Sequence, residues 1–343
     1  FFAPCANCMR PSPDAGRVLV WCGLTEIFAA TAAGLLVTCH IAWHVLGLLL
    51  GLGTFDVCPT VTDRPFLTVA VLTAPRRNAP IHLITTLQSL LSAWPQNRSH
   101  PLHSRMQIVV VNHHGADHSV WHHARALFAE VSAAARHYVH FIERNLTDLP
   151  PLDHIFHLQR AHAHSVLHVA ATFDSEYALL LEDDFPLCPL AWGRVLQLLC
   201  ACDAQYPQSR GAFVATGGNG AFFRRDHLPG VLQALDVASS LRQAEWKARA
   251  DQCIGAMNKR IASKESHEKV EEMDEWCESN LKHDVIIQRY LLGAPLCISR
   301  ELLFFHIGYT SSTFDANGDL ETKPDWQCGW RQPLTSRKRV VVL

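Results

Sequence analysis

Three acidic residues stand in a row at Glu182-Asp183-Asp184, directly after the apolar stretch Tyr177 to Leu181. Adjacent carboxylates repel one another, so such a row is costly unless a cation compensates it. Hard oxygens suit Mg²⁺ or Mn²⁺, ions that commonly link protein carboxylates to substrate phosphates. The ordinary alternative is a solvated acidic turn that closes a strand. Phe185-Pro186-Leu187 follows at once, and it is apolar for such a turn.

Four further positions carry chemical potential, each with a plain alternative. Thr216-Gly217-Gly218-Asn219-Gly220 would let a backbone approach a ligand closely. It lacks the Walker A ending and the GxGxxG fingerprint, so a simple turn between strands accounts for it equally well. Asp284 opens the stretch HDVIIQRYL, where a carboxylate also serves as a favourable helix N-terminal charge. His306 ends the apolar run LLFFH and is either a ligand or a structural histidine. Thr73 to Arg77 follow another apolar run, and their two arginines would meet phosphate or simply face solvent. Histidines number 21, and His164 and His168 have the i, i+4 spacing that shares a helix face and a metal. No His-Glu-x-x-His and no Gly-x-Ser-x-Gly occurs, so protease and hydrolase chemistry have no positive support.

The elements that must position these residues alternate. Short Val- and Leu-rich runs at 66–72, 107–112, 137–143, 176–184 and 211–216 predict buried strands. Helical spacing of apolar residues fills 80–93, 118–136, 155–173 and 190–203. This alternation predicts an α/β domain with a mainly parallel sheet flanked by helices. Ligands in such sheets bind beyond the carboxyl ends of strands, where Thr73 and Glu182 to Asp184 would lie. Residues 241–282 break the pattern with charges of both signs and read as a helical surface insertion. The final VVVL predicts a last strand.

Basic and acidic residues nearly cancel, 30 against 32, which argues against a partner of nucleic acid. Hydrophobic residues reach 48%, and much of that excess is local. From Ile27 to Phe55 there is no Asp, Glu, Lys or Arg. A span needs about 20 apolar residues, so 24–55 predicts one transmembrane helix. Arg10 and Arg17 precede it, which puts 1–23 in the cytosol and 56–343 across the membrane as a lumenal domain. The sequons at Asn97 and Asn145 agree with that side. Eight of the 12 cysteines fall after residue 56, and an oxidising lumen permits disulfides whose pairing the sequence does not disclose. The chain opens with Phe1 rather than Met, which leaves room for residues before it.

In order, the chain shows an anchor, RPFLTVAVLTAPRR, LLLEDDFPL, TGGNGAFFRR, DVIIQRYLLG, FFHIGYTSS and DWQCGWRQP. This succession resembles the nucleotide-sugar glycosyltransferases of the GT-A (Rossmann-like) fold. More narrowly, it resembles the group of N-acetylglucosaminyltransferase IV and the enzyme that adds N-acetylgalactosamine to the glycan of GPI anchors, with its fungal relatives. The resemblance implies a Golgi or ER single-pass type II enzyme. It would use Mn²⁺ or Mg²⁺ to move an N-acetylhexosamine from a UDP-sugar to a GPI-anchor glycan. It implies Asp184, with Asp183 and His306, as metal ligands. Thr73, Pro75, Arg76, Glu182 and Asp183 would hold the donor nucleotide, and Gly217, Gly218 and Asn219 would line the sugar and acceptor side. Transfer with inversion needs a carboxylate base opposite the leaving group, for which Asp284 is the first choice and Glu278 the reserve. The GPI-directed enzymes of animals carry a further membrane hairpin, and no second run of about 20 apolar residues occurs here. N-glycan branching and an inactive GT-A-like binding subunit are the competing expectations, with a histidine-metal membrane protein behind them.

Overall fold

The structure is a computed structural model. It describes residues 64–76, 80–95, 98, 100, 102–132, 135–144, 155–216, 219–262, 275–308, 327–329 and 340–342. The expected anchor, the sequons at Asn97 and Asn145, Arg77, and Gly217 and Gly218 lie outside the described residues. Among the described residues, no helix is long and apolar enough to cross a membrane.

The chain enters on β1 (Leu67–Leu72) and continues through α1 (His82–Ala93), β2 (Met106–Asn112) and α2 (Ser119–Arg125). Next come β3 (Val139–Glu143), α3 (Ile155–Ala171), β4 (Tyr177–Glu182), α4 (Ala191–Gln205), β5 (Gly211–Phe213) and β6 (Ala221–Arg224). Helices α5 (Leu228–Leu235), α6 (Val237–Leu241), α7 (Ala244–Ala262), α8 (Glu275–Leu281) and α9 (His283–Leu291) follow, and β7 (Leu296–Ile298) and β8 (Val340–Val342) close it. The strands form one eight-stranded sheet in the order β3-β2-β1-β4-β6-β5-β7-β8. Among these strands, β6 pairs antiparallel with β4 and with β5, and the other pairings are parallel. The mainly parallel α/β sheet expected from the alternation is therefore present.

Both faces of the sheet are covered, which is why its strands read as continuous apolar runs. Successive side chains point to opposite faces. Val69, Val71, Ile108, Val110, Leu179 and Leu181 join one core with α1, α2 and α4. Ala70, Val109, Val111, Ala178 and Leu180 join the other with α3, α5 and α9. In register, Leu72 of β1 faces Val111 of β2 and Glu182 of β4. The carboxyl ends of the central strands thus open at one edge.

Three elements differ from expectation. The helix foreseen over 118–136 stops at Arg125, where a wide π turn takes over from Ala126 to Val131. The wider turn changes the side-chain register while Phe128 stays in the core. Strand β4 ends at Glu182, so Asp183 and Asp184 belong to the turn beyond it. The described parts of the insertion are mostly helical but not only surface: Ala250, Cys253, Cys277 and Leu281 bury a small cluster against Phe156.

Disulfides join Cys188 to Cys328, Cys202 to Cys297 and Cys253 to Cys277. Cys200 is disulfide-bonded as well. The bridges at 188–328 and 202–297 close loops of 140 and 95 residues. Cross-links that long restrict the unfolded chain strongly.

Candidate active site

The acidic turn sits at the carboxyl edge of the central strand β4, and its backbone is pinned on both sides. Asp183 N–H donates to Leu72 O at 2.9 Å, and Ile307 N–H donates to Asp184 O at 2.9 Å. Thr86 of α1 donates its hydroxyl to Asp183 O at 2.8 Å. Both carboxyl side chains are buried, at 3% and 2% exposure, far from the solvated turn of the plain alternative.

Charge compensation comes from the loop after β1. Arg76 Nη2 lies 2.7 Å from Asp183 Oδ1 and 2.9 Å from Asp184 Oδ2. Thr73 donates its hydroxyl proton to Asp183 Oδ2 at 2.5 Å. Thr73 Oγ1 also lies 2.8 Å from His118 Nε2. A hydroxyl has one proton, and Thr73 spends it on Asp183, so His118 must donate from Nε2. His118 Nδ1, buried and without a hydrogen-bond partner, fits that tautomer.

The two carboxylates are not equivalent. Burial raises the Asp183 carboxyl above the ordinary range, against the pull of Arg76 and Thr73. At Asp184 burial pushes the same way, but the His306 hydrogen bond and the Arg76 charge outweigh it, so the carboxyl is lowered. Burial works against the Arg76 cation too, but Asp183 and Asp184 more than offset it and hold its pKa up.

His306 arrives from the far end of the chain, with Nε2 3.1 Å from Asp184 Oδ2. Its ring leans on Phe185, with centroids 4.9 Å apart. Gly308 backs directly onto this contact: a Cβ there would collide with Asp184 Oδ2 and crowd His306 Nε2.

A divalent ion fits one corner of this arrangement. Asp184 Oδ1 is buried and has no hydrogen-bond partner, and His306 Nε2 lies beside the same carboxylate. Asp183 is committed otherwise, since its two oxygens take Thr73 and Arg76. Among the described residues, no three His, Cys, Asp or Glu side chains converge on one point. A hard cation here would draw its remaining oxygens from water or substrate.

The structure thus brings together Thr73, Arg76, Asp183, Asp184 and His306. Pro75 lies between Thr73 and Arg76, half-buried. Asn219 is buried, and its Oδ1 accepts the Glu182 N–H at 2.7 Å, fastening the glycine loop to the end of β4. Gly220 follows with φ of 71°, and a Cβ there would strike Ala215, so glycine is required. Asp284 lies in the first turn of α9 and makes no hydrogen bond or ion pair with the acidic turn among the described residues. Its neighbour His283 does approach, with Nε2 3.8 Å from Glu182 Oε1. Glu278 lies on α8, and its side chain is outside the described part.

Sequence reasoning missed His118, Thr86, His283 and Gly308. It also missed a histidine cluster beside the Thr73 loop. His113 stacks on His162 with ring centroids 4.5 Å apart, and His114 stands edge-on to both His162 and His118. Burial lowers His113 and His118 to about 4 and His162 to about 2, so these rings are neutral. His164 and His168 do share a face, with centroids 6.1 Å apart.

No protein-family model matches the chain, and no curated protein matches it. Solved structures of glycosyltransferases are among those to which it is similar. The mannosyltransferase PcManGT from Pyrobaculum calidifontis, in complex with GDP-Man and Mn²⁺, is 18% identical over 60% of this chain and 56% of its own, with a TM-score of 0.32. Mouse xyloside xylosyltransferase 1 is 12% identical over 56% of this chain and 76% of its own, at 0.31. Residues 1–349 of TarS from S. aureus are 11% identical, at 0.30, with 50% of each chain covered. The chain thus spans about half the length of TarS 1–349 and of the mannosyltransferase. Likenesses this partial decide nothing about the chemistry here, which its own residues must carry.

Proposed function

We propose that the chain is a GT-A-fold glycosyltransferase that moves an N-acetylhexosamine from a UDP-sugar to a glycan acceptor with inversion. In this reading 24–55 anchors it in the Golgi or ER membrane, 56–343 is lumenal, and the acceptor is the GPI-anchor glycan. N-glycan branching is the alternative acceptor use. The observation that carries the reading is the buried Asp183–Asp184 pair, held by the β1 loop and met by His306, at the carboxyl edge of a mainly parallel sheet.

Asp184 and His306 would hold Mn²⁺ or Mg²⁺, which when bound supplies positive charge for a departing diphosphate. Thr73 and Arg76 keep Asp183 in one orientation, so the donor loop and the acidic turn move as one body. Arg76 adds a cation that phosphate oxygens can meet. Asn219 fixes the loop beside Glu182, on the side reserved for sugar and acceptor. Asp284, near the start of α9 and next to the His283–Glu182 contact, is the proposed base that takes the acceptor hydroxyl proton.

A UDP-sugar hydrolysis and transfer screen with Mn²⁺ tests this, comparing wild type with Asp184→Ala. Turnover in the wild type, lost in the variant, supports the assignment, and equal activity in both sinks the metal role. Asp284→Asn is expected to lower kcat by roughly 10²–10⁴ with little change in donor binding. A second reading has one observation in its favour: Arg76 already offsets part of the pair's charge. It makes the chain a nucleotide-binding subunit, which predicts a UDP-induced rise in Tm without turnover.

A further inference from the structure

Helices α7, α8 and α9 border an open cavity of about 750 Å³ on the α3, α5 and α9 face of the sheet. Arg160, Arg249, Arg289, Trp276, Asn280 and Tyr290 are among the residues that line it, and none of its described lining residues is Asp or Glu. The three arginines have different standing. Arg160 is buried, and it donates to the carbonyls of Ala234 and Leu235 at the end of α5 and of Asn280 on α8. It builds the floor by tying three helices together. Arg249 lies over the Trp276 ring, 4.6 Å from its centroid. Arg289 is exposed on α9 and has no ion-pair partner among the described residues.

We propose that this basin binds a phosphate-bearing saccharide, which on the reading above belongs to the acceptor. An open guanidinium, with two further arginines and no carboxylate among the described lining residues, favours an anion, and phosphate matches its planar fork. Trp276 and Tyr290 give the partly apolar walls that saccharide rings need beside a few polar groups. The position fits as well. Helix α9 begins at His283, 3.8 Å from Glu182, and carries Ile286, Arg289 and Tyr290 into the basin. At ~1.5 Å per residue, Arg289 lies roughly 9 Å along the axis from His283. A saccharide of a few rings spans that interval, so one helix runs from the acidic turn to the anion site.

The test is calorimetric titration of the whole chain with glucose 6-phosphate, glucose and inorganic phosphate. Glucose 6-phosphate is expected to bind the wild type, roughly tenfold more weakly to Arg289→Ala, and with intermediate strength to Arg289→Lys. Asp184→Asn is expected to bind it as the wild type does, because that change lies in the other site. Equal binding by wild type and Arg289→Ala overturns the proposal, as does glucose binding as tightly as its phosphate, or no binding at all. Inorganic phosphate binding as tightly as glucose 6-phosphate overturns the saccharide assignment. Retained glucose 6-phosphate binding in a wild-type chain that neither binds UDP nor turns over would remove the transferase reading and leave the basin.

Discussion

A single nitrogen, Arg76 Nη2, bridges Asp183 and Asp184 at 2.7 and 2.9 Å. The guanidinium is what allows two adjacent carboxylates to be buried together. Removing one partner of a buried ionic group leaves the others uncompensated. Arg76→Ala is therefore expected to cost about 3–5 kcal/mol of unfolding free energy. Arg76→Lys should recover part of it, since one cation is restored without the planar fork. Urea unfolding measures both, and a loss below about 1 kcal/mol for Arg76→Ala would refute the bridging role.

Gly308 stands against Asp184 and His306 with no space for a Cβ. Gly308→Ala should push these two side chains apart at a cost of about 1–3 kcal/mol. Its sharper effect should fall on Mn²⁺-dependent UDP binding, followed as a shift in Tm. Undiminished stabilisation by Mn²⁺ and UDP in the variant would separate His306 from the ligand site.

The histidine cluster sets a pH dependence with a definite sign. His113, His118 and His162 are neutral in the fold, because burial lowers them to about 4, 4 and 2. In the unfolded chain they take up protons below about pH 6.5. The unfolded state then binds more protons, so stability falls as pH falls from 6.5 towards 4, by about 1.4 kcal/mol per pH unit for each proton. The urea midpoint should drop between pH 7 and pH 5, and His113→Phe should flatten the slope. Coincident midpoints at the two pH values would contradict the burial of neutral rings.

Much of this was legible in the sequence, for identifiable reasons. A strand buried on both faces must be apolar throughout, so β1, β2 and β4 announced themselves, and with them the acids at the end of β4. The direction of β6 was not legible, because AFFR reads the same in either orientation. The Cys253–Cys277 bridge was hidden because pairing is a matter of distance, not spacing. His118 and His283 went unread because a histidine's role depends on what lies across from it. Thr73, just beyond β1, and Glu182, the last residue of β4, supply those partners.

That bridge yields its own expectation. Cys253 and Cys277 lie 24 residues apart and clip α7 to α8. Replacing both by Ser should cost about 3 kcal/mol by loop-closure entropy. The loss should concentrate in 241–282, where limited proteolysis would cut the variant faster than the wild type. Unchanged cleavage would mean that packing on Phe156 holds the insertion alone.

The pairing of Asp184 with His306 also orders events at the birth of the chain. Residues are added from the amino end, and 122 positions separate these two. Strands β1 to β4 can pair, and Arg76 can meet both acids, while the carboxyl third is still to be made. His306 and Gly308 arrive only after β7 has been made. A nascent chain can therefore hold an acidic turn bridged by Arg76 before it holds His306 at all, so the Asp184–His306 contact is among the last that synthesis makes available.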